Sequence, residues 1–220
     1  MPKVLVPLAQ GCEELEAVTI IDILRRAGIE VVSAGLDAQP VRASRGTVLV
    51  PDATLEAALK QIFDMVVLPG GQPGSNNLKA DARIIKLVQN MVQQDKYVAA
   101  ICAAPAVLAT AGLLDGKRAT SFPFALDAFP KVQQMQKAVV EDGKLITSRG
   151  PGTAMDFALV LVERLLGRAK RDEVVERIEQ IRNDIETKLL VTEPQAHREN
   201  QPTLSKEIQS SARTATDNVR

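Results

Sequence analysis

A chain of 220 residues, 45% hydrophobic and 25% charged, suffices for one globular domain with a sizeable core and some chain to spare. Lys plus Arg and Asp plus Glu number 27 each, so no basic surplus marks a nucleic-acid footprint. Aromatics at 3%, with no tryptophan, argue against a base-stacking platform, and the apolar runs are too short to cross a bilayer.

The N-terminal stretch MPKVLVPLAQGCEE passes directly from a short apolar run into acidic residues, without the long apolar region of a signal peptide. This reads as a cytoplasmic protein. Cys12 and Cys102 form no metal-type spacing and are expected as free thiols. KVLVPLA (3–9) reads as a buried strand. EELEAVTIIDILRRAG (13–28) reads as a helix stopped by Gly28, with Val18, Ile21, Leu24 and Arg25 near one face. A second strand follows at 29–36, then a hairpin at 41–52 turning near Ser44, Arg45 and Gly46. A short helix is expected at 54–60, a strand ending in a glycine pair at 64–71, and a helix at 81–95. YVAAIC (97–102) is the next strand, with a helix after it to about Leu113. Strand, loop and short helix are expected over 118–130. The segment 138–148 holds an Asp-Gly hairpin turn, and 152–167 is a long apolar helix.

Alternating strands and helices predict an α/β fold with a mostly parallel sheet covered on both faces. Sites in such folds form outside the carboxyl ends of the strands. Three segments end there: 9–16, 69–77 and 102–106. Beyond Gly167, Val174, Ile178, Ile181, Ile185 and Leu189 form one stripe of an amphipathic helix over 171–190. From about 191 the chain is polar and is expected to be disordered.

Cys102 admits two readings. A free cysteine is commonly a small buried hydrophobe. At a strand-to-helix elbow it also meets backbone N–H groups and a helix start, which lower a thiol pKa. LPGGQPGSNN (68–77) reads either as a flexible turn or as the place where Gly71 brings a backbone N–H to the sulfur. With the Ala103 N–H it would then form an oxyanion hole. Glu13 and Glu14 suit a helix first turn by themselves. Glu16 shares a face with Ile20 and Ile23 and would point inward, where a carboxylate needs a partner. The one histidine, His197, lies in the expected tail. A Cys-His hydrolase and a metal centre are both disfavoured.

GCEELEAV, RRAGIEV, VLPGG, AAICAAPAVL and TSRGPGTAMDFAL resemble, in order and spacing, the ThiJ/PfpI superfamily. Within it they are similar to the branch of the parkinsonism-associated protein deglycase and its bacterial YajL-like relatives. The resemblance covers about residues 3 to 175; with the apolar stripe and the polar end beyond it, the chain divides into a domain at 1–170, a helix at 171–190 and a tail at 191–220. It implies a flavodoxin-like three-layer sandwich, a homodimer and no cofactor. It implies a reactive cysteine at Cys102, an acidic partner at Glu16, and oxyanion N–H groups at Gly71 and Ala103. Regions near Arg26, Arg45 and Pro151 are implied at the substrate pocket or dimer edge. The chain departs from the family in carrying Phe122 where many relatives have histidine, and Ala103 where protease-type relatives do. The implied activity is a cysteine-dependent glyoxalase or deglycase. Its substrates would be small dicarbonyls or glycated proteins and nucleotides, in oxidative-stress protection. The alternative from another class is a redox-sensing holdase chaperone without turnover.

Overall fold

The computed structural model describes residues 1–178. Up to Leu166, eleven strands and six α-helices carry the fold. The first half holds β1 (Lys3–Leu8), α1 (Glu14–Arg26), β2 (Glu30–Gly35), β3 (Val41–Arg42), β4 (Val48–Leu49), β5 (Ala53–Thr54), α2 (Leu55–Ala58), β6 (Met65–Leu68) and α3 (Gly74–Ala80). The second half holds α4 (Ala82–Gln93), β7 (Tyr97–Ile101), α5 (Pro105–Thr110), β8 (Arg118–Ala119), β9 (Gln133–Gln134), β10 (Val139–Asp142), β11 (Leu145–Ser148) and α6 (Ala154–Leu166).

Seven strands form one sheet in the order β10-β11-β7-β6-β1-β2-β5. Within this sheet only β10 is antiparallel, joined to β11 by the turn at Gly143 and Lys144. The central strands read as continuous apolar runs because both faces are covered. Leu5, Val66, Val98 and Leu145 lie in register and point to one face, where they pack with residues of α2, α3, α4 and α5. Val4, Val6, Val67 and Ile101 alternate to the other face, where α1 packs on α6. The fold is the three-layer, flavodoxin-like sandwich expected.

Helix starts follow their caps. Glu13 accepts the Glu16 N–H at 2.7 Å, Thr54 caps α2 and Asp81 caps α4. The hairpin of β3 and β4 turns at Gly46 as expected, and the Glu14 carboxylate fastens it to α1 through the Arg45 N–H at 3.0 Å and the Ser44 hydroxyl at 3.1 Å.

Four expectations need correction. Val18 is 48% exposed and Arg25 points outward; the inward face of α1 carries Glu16, Ala17, Ile20, Ile23 and Leu24. Residues 74–80, read as part of a turn, form α3. The short helix expected within 118–130 is a series of turns. The long apolar helix starts at Ala154, after a 3-10 turn at Pro151–Thr153. Beyond Gly167 the chain is helical again from 168 to the last described residue, with Val174 buried and Arg171 paired to Glu163 of α6 at 3.2 Å. Ile181, Ile185 and Leu189 of the expected stripe, the tail and His197 lie outside the described residues. Among the described residues no helix is long and apolar enough to cross a membrane.

Candidate active site

The order of strands reverses at β1, between β2 and β6, and the crevice at their carboxyl ends is where an open α/β sheet binds ligands. β1 runs into Ala9–Glu13, β6 into Gly70 and Gly71, and β7 into Cys102. These three loops meet.

Cys102 sits one residue beyond β7 with φ of +64°, a left-handed conformation unusual for a residue with a side chain. Two hydrogen bonds hold it there: its N–H donates to the Ser148 carbonyl at 3.0 Å, and its carbonyl accepts the Phe122 N–H at 2.8 Å. The chain then enters α5 through Pro105, whose fixed φ suits the first helical position. The elbow turns the thiol toward the backbone N–H groups of Gly71 and Ala103, both of which favour its charged form.

Glu16 is fully buried on α1. Its Oε2 accepts the Gly70 N–H at 2.8 Å. Oε1 is buried without a hydrogen-bond partner, and the Cys102 thiol is the neighbouring side chain that favours the charge of the carboxyl. Burial pushes the Glu16 carboxyl up to about 7, against the Gly70 N–H and the neighbouring Cys102 thiol, which favour its charge. Burial, and then the Glu16 charge, push the Cys102 thiol up to about 12. The two N–H groups pull it down by less. The expectation of a lowered thiol pKa is thus reversed in the resting site, because desolvation and a neighbouring carboxylate outweigh a short helix start. Two adjacent buried acids do not both ionise readily, so near neutral pH the pair holds a shared proton.

The structure brings Cys102, Glu16, Gly71 and Ala103 together. Pro151 adjoins Gly150, which faces the sulfur. Arg45 is exposed on the hairpin turn that Glu14 fastens. Arg26 is not in this chain's pocket. It lies ten residues from Glu16 on the same helix, about 15 Å away at the usual rise, and it pairs with Asp22 at 2.6 Å.

Two glycines went unrecognised in the sequence. A Cβ at Gly70 would lie 2.5 Å from the Cys102 Cβ and 2.8 Å from Glu16 Oε2. A Cβ at Gly150 would lie 3.3 Å from the Phe122 ring and 4.0 Å from the sulfur. The signals were the Gly-Gly pair after β6 and the Gly-Pro-Gly after β11. Cys12 is fully buried and its thiol is pushed up to about 12, chiefly by burial. Among the described residues no group of three His, Cys, Asp or Glu side chains is placed to hold a metal ion.

The profile of the DJ-1/PfpI family matches residues 2–164. The chain belongs to the DJ-1/PfpI family. It is 45% identical over 175 residues to "Protein dj-1beta" of Drosophila melanogaster, covering 77% of this chain and 92% of the relative. It is 44% identical over 171 residues to "Protein DJ-1 homolog B" of Arabidopsis thaliana, covering 77% of this chain but 39% of that longer protein. A Caenorhabditis elegans relative, named "Glutathione-independent glyoxalase DJR-1.2", is 34% identical over 168 residues, 76% of this chain and 89% of its own. Oxidized Toxoplasma gondii DJ-1 superposes with a TM-score of 0.78 at 40% identity, covering 81% of this chain and 98% of that structure.

Proposed function

We propose that this member of the DJ-1/PfpI family is a cofactor-independent, cysteine-dependent glyoxalase or deglycase. Its substrates are methylglyoxal, glyoxal or their early adducts on proteins and nucleotides. The observation that carries this reading is the Cys102 sulfur set between two N–H donors and the buried Glu16 carboxyl, whose pKa lies where a group can both take and give a proton. The name of the worm relative supports the reaction class.

Methylglyoxal illustrates the chemistry. The Cys102 sulfur bonds to the aldehyde carbon as its proton passes to Glu16. The carbonyl π electrons move to oxygen, where the Gly71 and Ala103 N–H groups receive the charge. Glu16 returns the proton, giving a hemithioacetal. Glu16 then removes the hydrogen on the former aldehyde carbon and delivers a proton to the neighbouring carbon, while the hydroxyl proton of the hemithioacetal passes to the neighbouring carbonyl oxygen. The first carbon is oxidised to a thioester and the second reduced to an alcohol, so no external oxidant is needed. Water cleaves the carbon–sulfur bond, releasing lactate and the thiol. Purified protein is expected to convert methylglyoxal to lactate, quantified against authentic standard. Cys102→Ser should reduce the rate at least ~10³-fold, as losing a covalent nucleophile does. Undiminished turnover in that variant overturns the assignment.

The holdase reading uses the same thiol, oxidised by peroxide through sulfenic to sulfinic acid. It is the weaker one, since Cys102 is only 7% exposed and its thiol form is favoured. We further propose a homodimer, supported by the outward apolar residues Leu15 and Val18 of α1 and Val48 on the hairpin fastened to it. Free Cys12 and Cys102 suit a cytoplasmic setting.

A further inference from the structure

The chain has five phenylalanines. Phe63 and Phe157 are buried and Phe129 packs against the core, whereas Phe122 is 49% and Phe124 83% exposed. Both exposed residues line one cavity of about 280 Å³. Phe124 is held there with φ of +68°, a backbone state that disfavours a bulky residue. The loop is tied to the reactive elbow by the Phe122 N–H bond to the Cys102 carbonyl. Gly150 leaves a slot between the Phe122 ring and the sulfur, because its missing Cβ would sit against both. Gln134, Gln136 and Arg149 line the polar side of the cavity. Thr120 lines it too, 1% exposed, and its buried hydroxyl has no partner.

These observations point to one ligand shape. A methyl group on the second carbonyl of a 2-oxoaldehyde leaves the cavity empty. A flat ring fills it and stacks on phenylalanine. We propose that the cavity is a specificity subsite for an aryl group carried on the second carbonyl of the substrate, so that arylglyoxals are preferred over alkylglyoxals. Phe122 is its specificity-determining residue. The proposal rests on the glyoxalase reading for the identity of the reacting group, but the subsite can be tested without turnover.

The test is alkylation of Cys102 by a matched pair of α-bromo ketones, 2-bromoacetophenone and bromoacetone. In each, sulfur bonds to the methylene carbon, the carbon–bromine bond breaks, bromide leaves with the electron pair and the thiol proton passes to Glu16 or solvent. Rates are read by intact-protein mass spectrometry, with Cys102→Ser as the site control, and divided by those for glutathione. The aryl-to-methyl ratio of the protein is expected to exceed that of glutathione roughly five- to tenfold, the size of one good aromatic contact. Phe122→Ala should bring the two ratios together while leaving the bromoacetone rate little changed. Gly150→Ala, which closes the slot, should slow the aryl reagent selectively and guards against a misfolded Phe122 variant. Equal ratios in protein and glutathione, or an unchanged ratio in both variants, overturn the subsite. Aryl preference without methylglyoxal turnover upholds the subsite and sinks the glyoxalase reading; turnover without aryl preference does the reverse.

Discussion

Gly70 sits where three groups converge, since its N–H holds Glu16 and any side chain would enter the space of the Cys102 Cβ, Glu16 Oε2 and the Ile101 carbonyl. Two of these are backbone or Cβ atoms that cannot swing away. Gly70→Ala is therefore expected to destabilise the fold by about 1–3 kcal/mol, as overpacking does. It should also lower turnover more than any loss of folded protein explains, measured by melting and by lactate formation on the same sample. Glu16 makes a second prediction. Its carboxyl titrates near 7 in the fold against 4.5 for the unperturbed side chain. Between those values the unfolded chain has lost the proton and the folded chain has kept it, so this group's contribution to stability falls as pH rises from about 4.5 to about 7. Glu16→Gln removes that dependence. Its unfolding free energy, compared with the unsubstituted protein, should gain about 3 kcal/mol across that range. Denaturant titrations at several pH values check this, and a constant difference would place the Glu16 pKa near its ordinary value. At this scale the sequence disclosed residues that act through a side chain, such as Cys102 and the inward-facing Glu16. It hid Gly70 and Gly150, which act by lacking one. A bare position has meaning only once neighbours from other elements are known.

The elements that were legible are those whose burial pattern has a period. β1, β6 and β7 are apolar throughout because two helical layers cover them, and α4 declares itself by Asp81 and its stripe of Ile84, Val88 and Met91. α3 was not legible. Its residues GSNNLKA carry one buried anchor, Leu78, and its start is fixed by tertiary contact: a Cβ at Gly74 would strike the Cys12 backbone at 2.5 Å. The face of α1 was misjudged because apolar residues surround the helix. Glu16, Ile20 and Ile23 face the core, while Leu15 and Val18 face outward beside the hairpin that Glu14 holds. An apolar stripe that the described residues leave bare suits a second subunit. Val18→Glu is expected to turn the proposed dimer into a monomer at micromolar concentration by light scattering, with little change in secondary structure. A protein already monomeric before substitution would remove the dimer from the account.

At the scale of the whole molecule, the candidate site draws on the ends of β1, β6, β7 and β11, so it exists only when the sheet is assembled. All of these lie within residues 3–148, and the family profile ends at 164. The described chain nevertheless continues as one unit to Arg177, past the expected boundary at 170. The helix beyond Gly167 is fastened to α6 by the Arg171–Glu163 pair and by Val174, which is 1% exposed. We propose that this docking serves stability and that residues 192–220, His197 included, take no part in catalysis. Two truncations separate these roles. Removing 192–220 should leave both melting temperature and methylglyoxal turnover unchanged. Removing 174–220 takes away the buried Val174 and should cost about 1.5–3 kcal/mol, the value of burying one such side chain, with turnover per folded molecule preserved. If loss of 192–220 alone abolished turnover while the protein stayed folded, the site would extend beyond the four strand ends, and the histidine-free mechanism would have to be abandoned.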